Sequence, residues 1–252
     1  MSRGMRSRRI AILTLSLVGL LAGLISPFTI CAQARLGASP PRRLVRTFSV
    51  GRSPGVILVN SSLRGNISVQ AWERREIHLI ATAPVDTRFS NNILTVSVPK
   101  RRATGSDTVD IDVKVPVECA VEASTIGGKI TIRGVRGHLK LSSMEGDIEL
   151  VDVASPNIDA MSVTAGRILF SGTLQERGTY TFYSGAGTIE LLLPEASSFT
   201  LDAATHEGRI ETEGLRLQSR SQTPSHLQGI AQTGSALLKL RTHSGRIHVR
   251  HR

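Results

Sequence analysis

A short motif centred on glycine recurs seven times along the chain and constrains the fold more than any other feature. Each copy has an isoleucine two residues after the glycine and, in every copy but one, an apolar residue two further on. This period-two alternation predicts a strand on each side of a tight turn. The glycines are Gly65, Gly128, Gly146, Gly166, Gly187, Gly208 and Gly245, and the isoleucines are Ile67, Ile130, Ile148, Ile168, Ile189, Ile210 and Ile247.

The turns share a second feature, a hydroxyl side chain three residues before the glycine in nearly every copy. Serine and threonine hydroxyls hydrogen-bond the local backbone, and glycine adopts a positive φ without strain. We therefore interpret the hydroxyls as turn formers and expect a positive φ at the glycines. The hydroxyl residues are Ser62, Thr125, Ser143, Ser184, Thr205 and Thr242, with Val163 as the exception.

The spacing of the copies predicts how they assemble. From Gly128 to Gly208, successive glycines are 18, 20, 21 and 21 residues apart, and no helical periodicity separates them. We predict an all-β, single-domain parallel β-solenoid with coils of about 20 residues and a β-rich N-terminal cap. The alternative is a sandwich of antiparallel hairpins. A solenoid explains better why the same residue type returns at the same place, because it stacks equivalent positions.

Segments outside the regular repeat complete the predicted domain, which spans residues 47–252. Strands are expected at about 54–60, 66–71 and 75–82. The alternating segment from Val109 to Glu122 is expected to cap the first coil. The polar stretch 214–234 interrupts the last repeat, and we expect a protruding loop or irregular coil there.

The first residues resemble a secretory signal, with four arginines before an uncharged apolar run from Ile10 to Ile25 and an Ala-Gln-Ala site ending at Ala34. We predict a signal peptide at 1–34 and a linker at 35–46. The protein would then be exported to the periplasm or cell surface. Retention of the segment as an anchor is the alternative, and it would be the chain's only membrane contact.

The charge and the cysteine content of the chain limit the classes of partner that it is expected to bind. Residues 1–34 contain four arginines and no acidic residue, so their removal lowers the net charge from +11 to +7. That excess favours anionic envelope surfaces. Nucleic acid is not an expected partner, because aromatics make up only 4% of the chain and no helix-turn-helix or zinc-ligand spacing occurs. The remaining cysteine, Cys119, lies on the apolar side of a strand and is interpreted as a buried hydrophobe.

Three passages resemble the bacterial putative-adhesin family of secreted β-strand-repeat domains, whose function is unknown. They are "VNSSLRGNISVQAWERREIHLIATA", "YTFYSGAGTIELLLPEASSFTLDAATHEGRIET" and "LQGIAQTGSALLKLRTHSGRIHVR". The resemblance covers about residues 47–250. It implies a right-handed, solenoid-like all-β domain at the cell envelope, without an established enzymatic activity or cofactor.

One departure from that family identifies a candidate binding surface. The residue after the glycine is usually acidic or an amide in the family, whereas here it is often basic. If the isoleucines point inward, these residues point outward. We predict a surface ladder that binds an envelope partner, either a polysaccharide or a membrane-associated protein. Its members are Lys129, Arg167, Arg209 and Arg246.

Other side chains suggest chemistry, but none is assigned a catalytic, cofactor or metal role. Glu190 and Glu211 would stack about 5 Å apart on successive coils, as a retaining glycosidase needs, so a polysaccharide lyase or hydrolase is one alternative function. A scaffold that stacks end to end through an apolar terminal coil is another. His206 and His243 share one turn position and would be neighbours, the arrangement from which a zinc site could form. Ser244 lacks an oriented base and a buried acid.

Overall fold

The computed structural model describes residues 43–99 and 108–251, and these form an all-β structure of two sheets. The predicted signal peptide, residues 35–42 of the predicted linker and the basic stretch 100–106 lie outside the described residues. Within them, no helix has the length and apolar character that crossing a membrane requires. The strands are β1 Leu44–Ser49, β2 Gly55–Asn60, β3 Ile67–Trp72, β4 Glu76–Ala81, β5 Asp86–Ser90, β6 Ile93–Ser97, β7 Ile111–Pro116, β8 Ala120–Thr125, β9 Ile130–Arg133, β10 Leu139–Ser143, β11 Ile148–Val153, β12 Asn157–Ser162, β13 Ile168–Gly172, β14 Thr179–Ser184, β15 Ile189–Leu193, β16 Phe199–Thr205, β17 Arg209–Glu213, β18 Leu217–Gln222, β19 His226–Ala231, β20 Ala236–Thr242 and β21 Arg246–His251.

Successive strands alternate between the two sheets in the middle of the molecule. Strands β9, β11, β13 and β15 lie side by side in the first sheet, which we call sheet A. Strands β8, β10, β12 and β14 do the same in the second, sheet B. All these neighbours are parallel. The predicted parallel stacking is therefore confirmed, and the antiparallel-hairpin alternative is wrong for this region.

The repeated isoleucines form one buried column along sheet A. Ile130 is in register with Ile148, and Ile148 with Ile168, so equivalent residues of successive copies touch. The column is completely buried except at the edge strand β17, where Ile210 is half-buried. Aromatic side chains of the two sheets meet in the core. Phe170 of sheet A packs against Phe182 of sheet B, with ring centroids 5.6 Å apart. Burial of this apolar surface is the main stabilising contribution to the fold.

The order of strands differs from the order of the chain near both ends. The last pair, β20 and β21, inserts next to β14 and β15, and so displaces β16 and β17 outward by one strand in each sheet. Likewise, β2 and β3 lie inside β6 and β7. The last strand of the chain is thus paired on both sides instead of forming an edge.

Antiparallel strands extend both sheets at the N-terminal end of the stack and sheet B at the C-terminal end, where sheet A ends at the parallel edge strand β17. At the N-terminal end, β4 and β1 extend sheet A beyond β7, and β5 extends sheet B beyond β6. Side chains of the two outermost strands meet there, with the Phe48 and Phe89 rings 5.4 Å apart. The expected cap is confirmed for β7, which covers the first coil. Strand β8 instead lies on the inner side of β2, where it pairs with β2 and β10.

At the C-terminal end, the polar insertion forms a hairpin. Strands β18 and β19 are antiparallel, and β19 pairs with β16 at the margin of sheet B. The expectation of an irregular loop is wrong, because buried and half-buried residues alternate along β19 as in a regular strand. Leu227, Gly229 and Ala231 are buried, and the positions between them in β19 are half-buried. An apolar terminal coil without a cover, as end-to-end stacking requires, is not found among the described residues.

The motif glycines allow adjacent turns to approach closely. A Cβ on Gly146 would lie 1.9 Å from the Gly128 carbonyl oxygen, and one on Gly245 would lie 1.8 Å from that of Gly187. None of the seven has a φ in the left-handed region. The expected positive φ is therefore wrong, and backbone contact between stacked coils is the reason for glycine at these positions.

Candidate functional site

The turn hydroxyls are buried and have structural partners. The Ser184 Oγ accepts a hydrogen bond from the Gly187 N–H at 3.0 Å and donates one to the Gly166 carbonyl at 2.9 Å. Thr242 accepts from the Gly245 N–H in the same way. Ser184, Thr242 and Thr125 thus each connect their own turn to the neighbouring coil. Their interpretation as turn formers is confirmed by these contacts.

Two further residues occupy the same buried position as the turn hydroxyls but were not predicted from the sequence pattern. Ser162, four residues before Gly166, takes the position that Val163 cannot fill, and it accepts from the Gly166 N–H at 3.0 Å. Asn60 is in register with Thr125 and donates to the Val109 carbonyl at 2.7 Å. Both residues precede turns that are longer by one or two residues, so a fixed offset from the glycine misses them. Strand register would have located them.

The predicted basic ladder lies on the outer face of sheet A, but it is not continuous. Asp147 stands between Lys129 and Arg167, and Thr188 stands between Arg167 and Arg246. Only Arg209 and Arg246 are direct neighbours. The structure therefore places all four residues on one face and brings two of them together.

Three of the four cations form ion pairs across the ladder. Lys129 pairs with Glu149, and Arg167 pairs with Glu190. Arg246 lies 3.9 Å from Glu211, the limit of such a contact. The cationic side chains remain about half exposed, at 48% for Lys129, 53% for Arg167 and 59% for Arg246. They are neutralised locally while remaining accessible from solvent.

These ion pairs set the charge state of the two central glutamates. The hydrogen bond from Lys129 lowers the pKa of Glu149 and outweighs the effect of burial. Burial raises the pKa of Glu190, but hydrogen bonds and charges from Arg167 and Arg250 outweigh it, so the net pKa is lowered. Both carboxylates are therefore ionised at neutral pH, and neither is suited to act as a general acid.

The proposed pair of catalytic carboxylates does not form. Strand β21 lies between β15 and β17, so His248 separates Glu190 from Glu211. Two strand spacings put their backbones about 9.6 Å apart. The expectation that these glutamates stack directly is wrong, because it placed the closing coil at the end of the stack. The geometry that motivated a retaining glycosidase is absent.

The C-terminal end of this face holds two arginines side by side. Arg209 and Arg246 are in direct register on the adjacent parallel strands β17 and β21, and both are exposed. Arg209 has no ion pair within 4 Å among the described residues. Like charges opposite each other on neighbouring strands are destabilising. An anion bound between the two guanidinium groups would remove this repulsion.

Sheet B has a separate polar cluster that sequence reasoning missed. Asp202 accepts a hydrogen bond from the Arg241 guanidinium at 2.5 Å and lies 3.1 Å from the His226 ring. Burial raises the pKa of Asp202, but the hydrogen bonds from Arg241 and His226 lower it by more, so the net pKa is lowered. The cluster ties β16 to its neighbours β19 and β20, which is a structural role.

Two of the open clefts near the N-terminal end flank the start of β2. One, of about 380 Å³, is lined by Trp72, three arginines, Pro54 and Pro116. The Trp72 indole donates to the Glu76 carbonyl at 2.8 Å, and the Arg74 guanidinium lies 5.2 Å from its ring centroid. The indole is thus occupied by intramolecular contacts. The other cleft, about 370 Å³, is a shallow depression on sheet B above Gly55 and Ala120.

The remaining candidates are the cysteine, the serine and the two turn histidines. Cys119 is completely buried, and burial raises the pKa of its thiol to about 12, so it is an unreactive core residue as interpreted. Ser244 is exposed on its turn without a hydrogen-bonded base among the described residues. His206 and His243 are neighbours as expected, with ring centroids 5.0 Å apart and planes 19° from parallel.

Comparisons with known proteins agree with this architecture. The pattern of the Toastrack DUF4097 family matches residues 58–250. The chain belongs to this family. A comparison with curated proteins finds no match. The assignment agrees with the resemblance inferred from the repeated glycine motifs.

Comparison with solved structures finds proteins that resemble this chain at low identity. A "putative cell adhesion protein" from Clostridium sporogenes is 9% identical, with a TM-score of 0.51, and the match covers 84% of this chain and all of that one. A "putative adhesin" from Bacteroides fragilis is 12% identical, with a TM-score of 0.35, over 84% of this chain and 99% of that one. A "putative lipid binding protein" from Parabacteroides distasonis is 11% identical, with a TM-score of 0.37, over 82% and 96%. At these identities the first likeness shows the fold alone.

Proposed function

We propose that this Toastrack protein is a non-enzymatic, exported module that binds an anionic partner at the cell envelope through the outer face of sheet A. The observation that carries the proposal is the registered pair of exposed arginines, Arg209 and Arg246. A fold rarely retains an unfavourable like-charge pair unless function requires it. An acidic polysaccharide is the partner whose chemistry fits a surface of repeated cations.

The rest of the face supports an extended ligand. Lys129 and Arg167 lie on the same face, four and two strands away from Arg246, which corresponds to about 19 and 10 Å at the usual strand spacing. Their ion pairs with glutamates are partly exposed and therefore weak. A polyanion can replace or share such contacts at little cost. Planar guanidinium groups also match the bidentate geometry of carboxylates.

Export is part of the proposal and is supported by the sequence of residues 1–34, which resembles a cleavable signal. The Clostridium sporogenes protein that shares the fold is named for cell adhesion. The lowered pKa of Glu190 and its separation from Glu211 weigh against the lyase or hydrolase alternative. The antiparallel strands that extend both sheets at the N-terminal end, and sheet B at the C-terminal end, weigh against end-to-end stacking.

A direct binding measurement tests the proposal. Polygalacturonate, an acidic glycan, and dextran, a neutral one, would be titrated into the protein at about 0.15 M salt. We expect saturable binding to the acidic glycan alone. The double variant Arg209→Gln/Arg246→Gln should weaken this binding about tenfold, which corresponds to about 1.4 kcal/mol.

The matched control replaces two exposed cations of sheet B, Lys140→Gln/Lys239→Gln. It changes the net charge by the same amount on the opposite face. Equal weakening by the two double variants would show nonspecific charge attraction and overturn the proposed face. Retention that is never saturable and disappears with moderate salt would overturn the binding module itself.

A further inference from the structure

The turn histidines His206 and His243 form an exposed pair on the corner where sheet B turns into sheet A. They are 37 residues apart in sequence. The insertion of β20 and β21 beside β16 and β17 puts their turns on adjacent levels. In the preceding copies the same turn position holds Ile126, Met144, Thr164 and Gly185. Only the last two levels therefore present nitrogen ligands.

Backbone hydrogen bonds fix the two turns relative to each other. The His206 N–H donates to the His243 carbonyl at 3.0 Å, and the Glu207 N–H donates to the same oxygen at 2.8 Å. The His243 N–H in turn donates to the Gly185 carbonyl at 2.8 Å on the next level. The Cα positions of both histidines are thus held by the stack, and only side-chain torsions remain free.

The side chains are arranged as neighbouring rungs. Their ring centroids are 5.0 Å apart, and the planes are 19° from parallel. Both residues are exposed. Two imidazole nitrogens that share one metal ion at about 2.0–2.1 Å each are roughly 3.3 Å apart in a tetrahedral arrangement. Because the rings are nearly parallel and imidazole lone pairs lie in the ring plane, both exposed rings must rotate about their side-chain torsions to direct a nitrogen at the same ion.

We propose that His206 and His243 chelate one divalent transition-metal ion of the kind that prefers imidazole, such as Zn²⁺, Ni²⁺ or Cu²⁺. Hard cations such as Ca²⁺ and Mg²⁺ take oxygen ligands and would not select this pair. Among the described residues, no group of three or more His, Cys, Asp and Glu side chains could hold a metal ion. The pair therefore supplies two ligands, and solvent completes the coordination.

Charges of both signs lie near this corner, because Arg209 and Arg246 follow the two histidines by three residues each. Glu207 follows His206 directly and is also exposed, so its carboxylate adds negative charge close to the pair. Protons compete with the metal for the imidazole nitrogens, so the affinity should fall on acidification. With two protein ligands, the site would bind reversibly rather than permanently.

Calorimetric titration of Zn²⁺ into the untagged chain tests the inference. We expect one binding event in the parent, and a loss of at least about tenfold in affinity in each of His206→Ala and His243→Ala. The control is His138→Ala, which removes another exposed histidine and should leave the titration unchanged. Thermal unfolding of all variants in the absence of metal should agree, because each replaced side chain is exposed.

Several results would overturn the site. A parent that releases no heat with Zn²⁺ would do so, as would single variants that titrate like the parent. An equal loss in the His138→Ala control would place the binding elsewhere. None of these results bears on the binding of polygalacturonate, so failure of the metal site and failure of the proposed function remain distinguishable.

Discussion

Replacement of Gly146 by alanine tests why the repeat contains glycine. A Cβ at this position would lie 1.9 Å from the Gly128 carbonyl oxygen, 2.6 Å from the Gly128 carbonyl carbon and 2.8 Å from the Ser143 Oγ. Real Cβ atoms are essentially never closer than 3.0 Å to such atoms. The two turns must therefore separate by about 1.1 Å. The obstacle is backbone, which cannot rotate away like a side chain.

The cost follows from this overlap. Overpacking a rigid site destabilises by about 1–3 kcal/mol, and backbone contact belongs at the upper end of that range. Alanine also lowers the entropy of the unfolded chain, which offsets about 0.4–1 kcal/mol. The net destabilisation of Gly146→Ala should be about 2 kcal/mol. For a chain of this size, it corresponds to a decrease in Tm of about 4–8 °C.

Gly51→Ala is the matched control. The nearest atom to a Cβ at Gly51 is 3.8 Å away, an ordinary contact, and its φ is outside the left-handed region. The variant should be neutral or slightly stabilised. Urea unfolding followed by circular dichroism gives both free energies. If Gly146→Ala costs no more than Gly51→Ala, close approach of stacked turns is not the reason for the glycines.

Three further predictions concern buried or paired groups. Ser184→Ala leaves the Gly187 N–H and the Gly166 carbonyl without their partner, so it should cost about 1–3 kcal/mol in urea unfolding, whereas the exposed control Thr179→Ala should change little. Glu190→Gln should cost about 0.5–1 kcal/mol at pH 7, because its partners Arg167 and Arg250 are about half exposed. Because the pKa of Glu190 is lowered in the folded state, this stabilisation is present above the ordinary glutamate pKa and is lost as the pH falls through the folded pKa. A stability difference between Glu190→Gln and the parent that persists undiminished at pH 2 would contradict the assignment. Glu145→Gln, on an exposed turn, is the control. Cys119, with a pKa of about 12, should react with a thiol reagent only as the protein unfolds. The Cys31→Ser variant removes the other of the chain's two cysteines, and fast labelling of this variant in its native state would show that Cys119 is accessible.

The sequence predicted the interior of the stack because its side chains repeat with the backbone. Ile130, Ile148 and Ile168 occupy equivalent places in successive copies, and equivalent places are in register in a parallel stack. Burial on the inner face and exposure on the outer face then follow from the period of two. The same reasoning located the outward cations Lys129 and Arg167 correctly.

What the sequence did not predict was the order of the strands near the ends. A local pattern gives the residues of each coil but carries no information about which coils are neighbours. The insertion of β21 between β15 and β17 changed the partners of Glu190 and Glu211 and removed the suggested catalytic pair. The adjacency of His206 and His243 survived, because β16 and β20 are neighbours.

The turn positions show a second limit. A fixed offset from the glycine assumes turns of one length, so it assigned Val163 where Ser162 holds the buried position. It also attributed the glycines to positive φ, although contact with the next coil determines them. Interactions between coils are invisible in any single copy of a repeat.

The order of β15, β21 and β17 determines every neighbour on the C-terminal part of the binding face, and disulfide trapping measures it directly. Glu190 and His248 are in register on adjacent strands, about 4.8 Å apart, within the range that a disulfide spans. In a Cys31→Ser background, Glu190→Cys/His248→Cys should form a disulfide on mild oxidation. Glu190→Cys/Glu211→Cys, about 9.6 Å apart across β21, should not. Efficient crosslinking of the second pair, without the first, would contradict the inserted position of the closing coil.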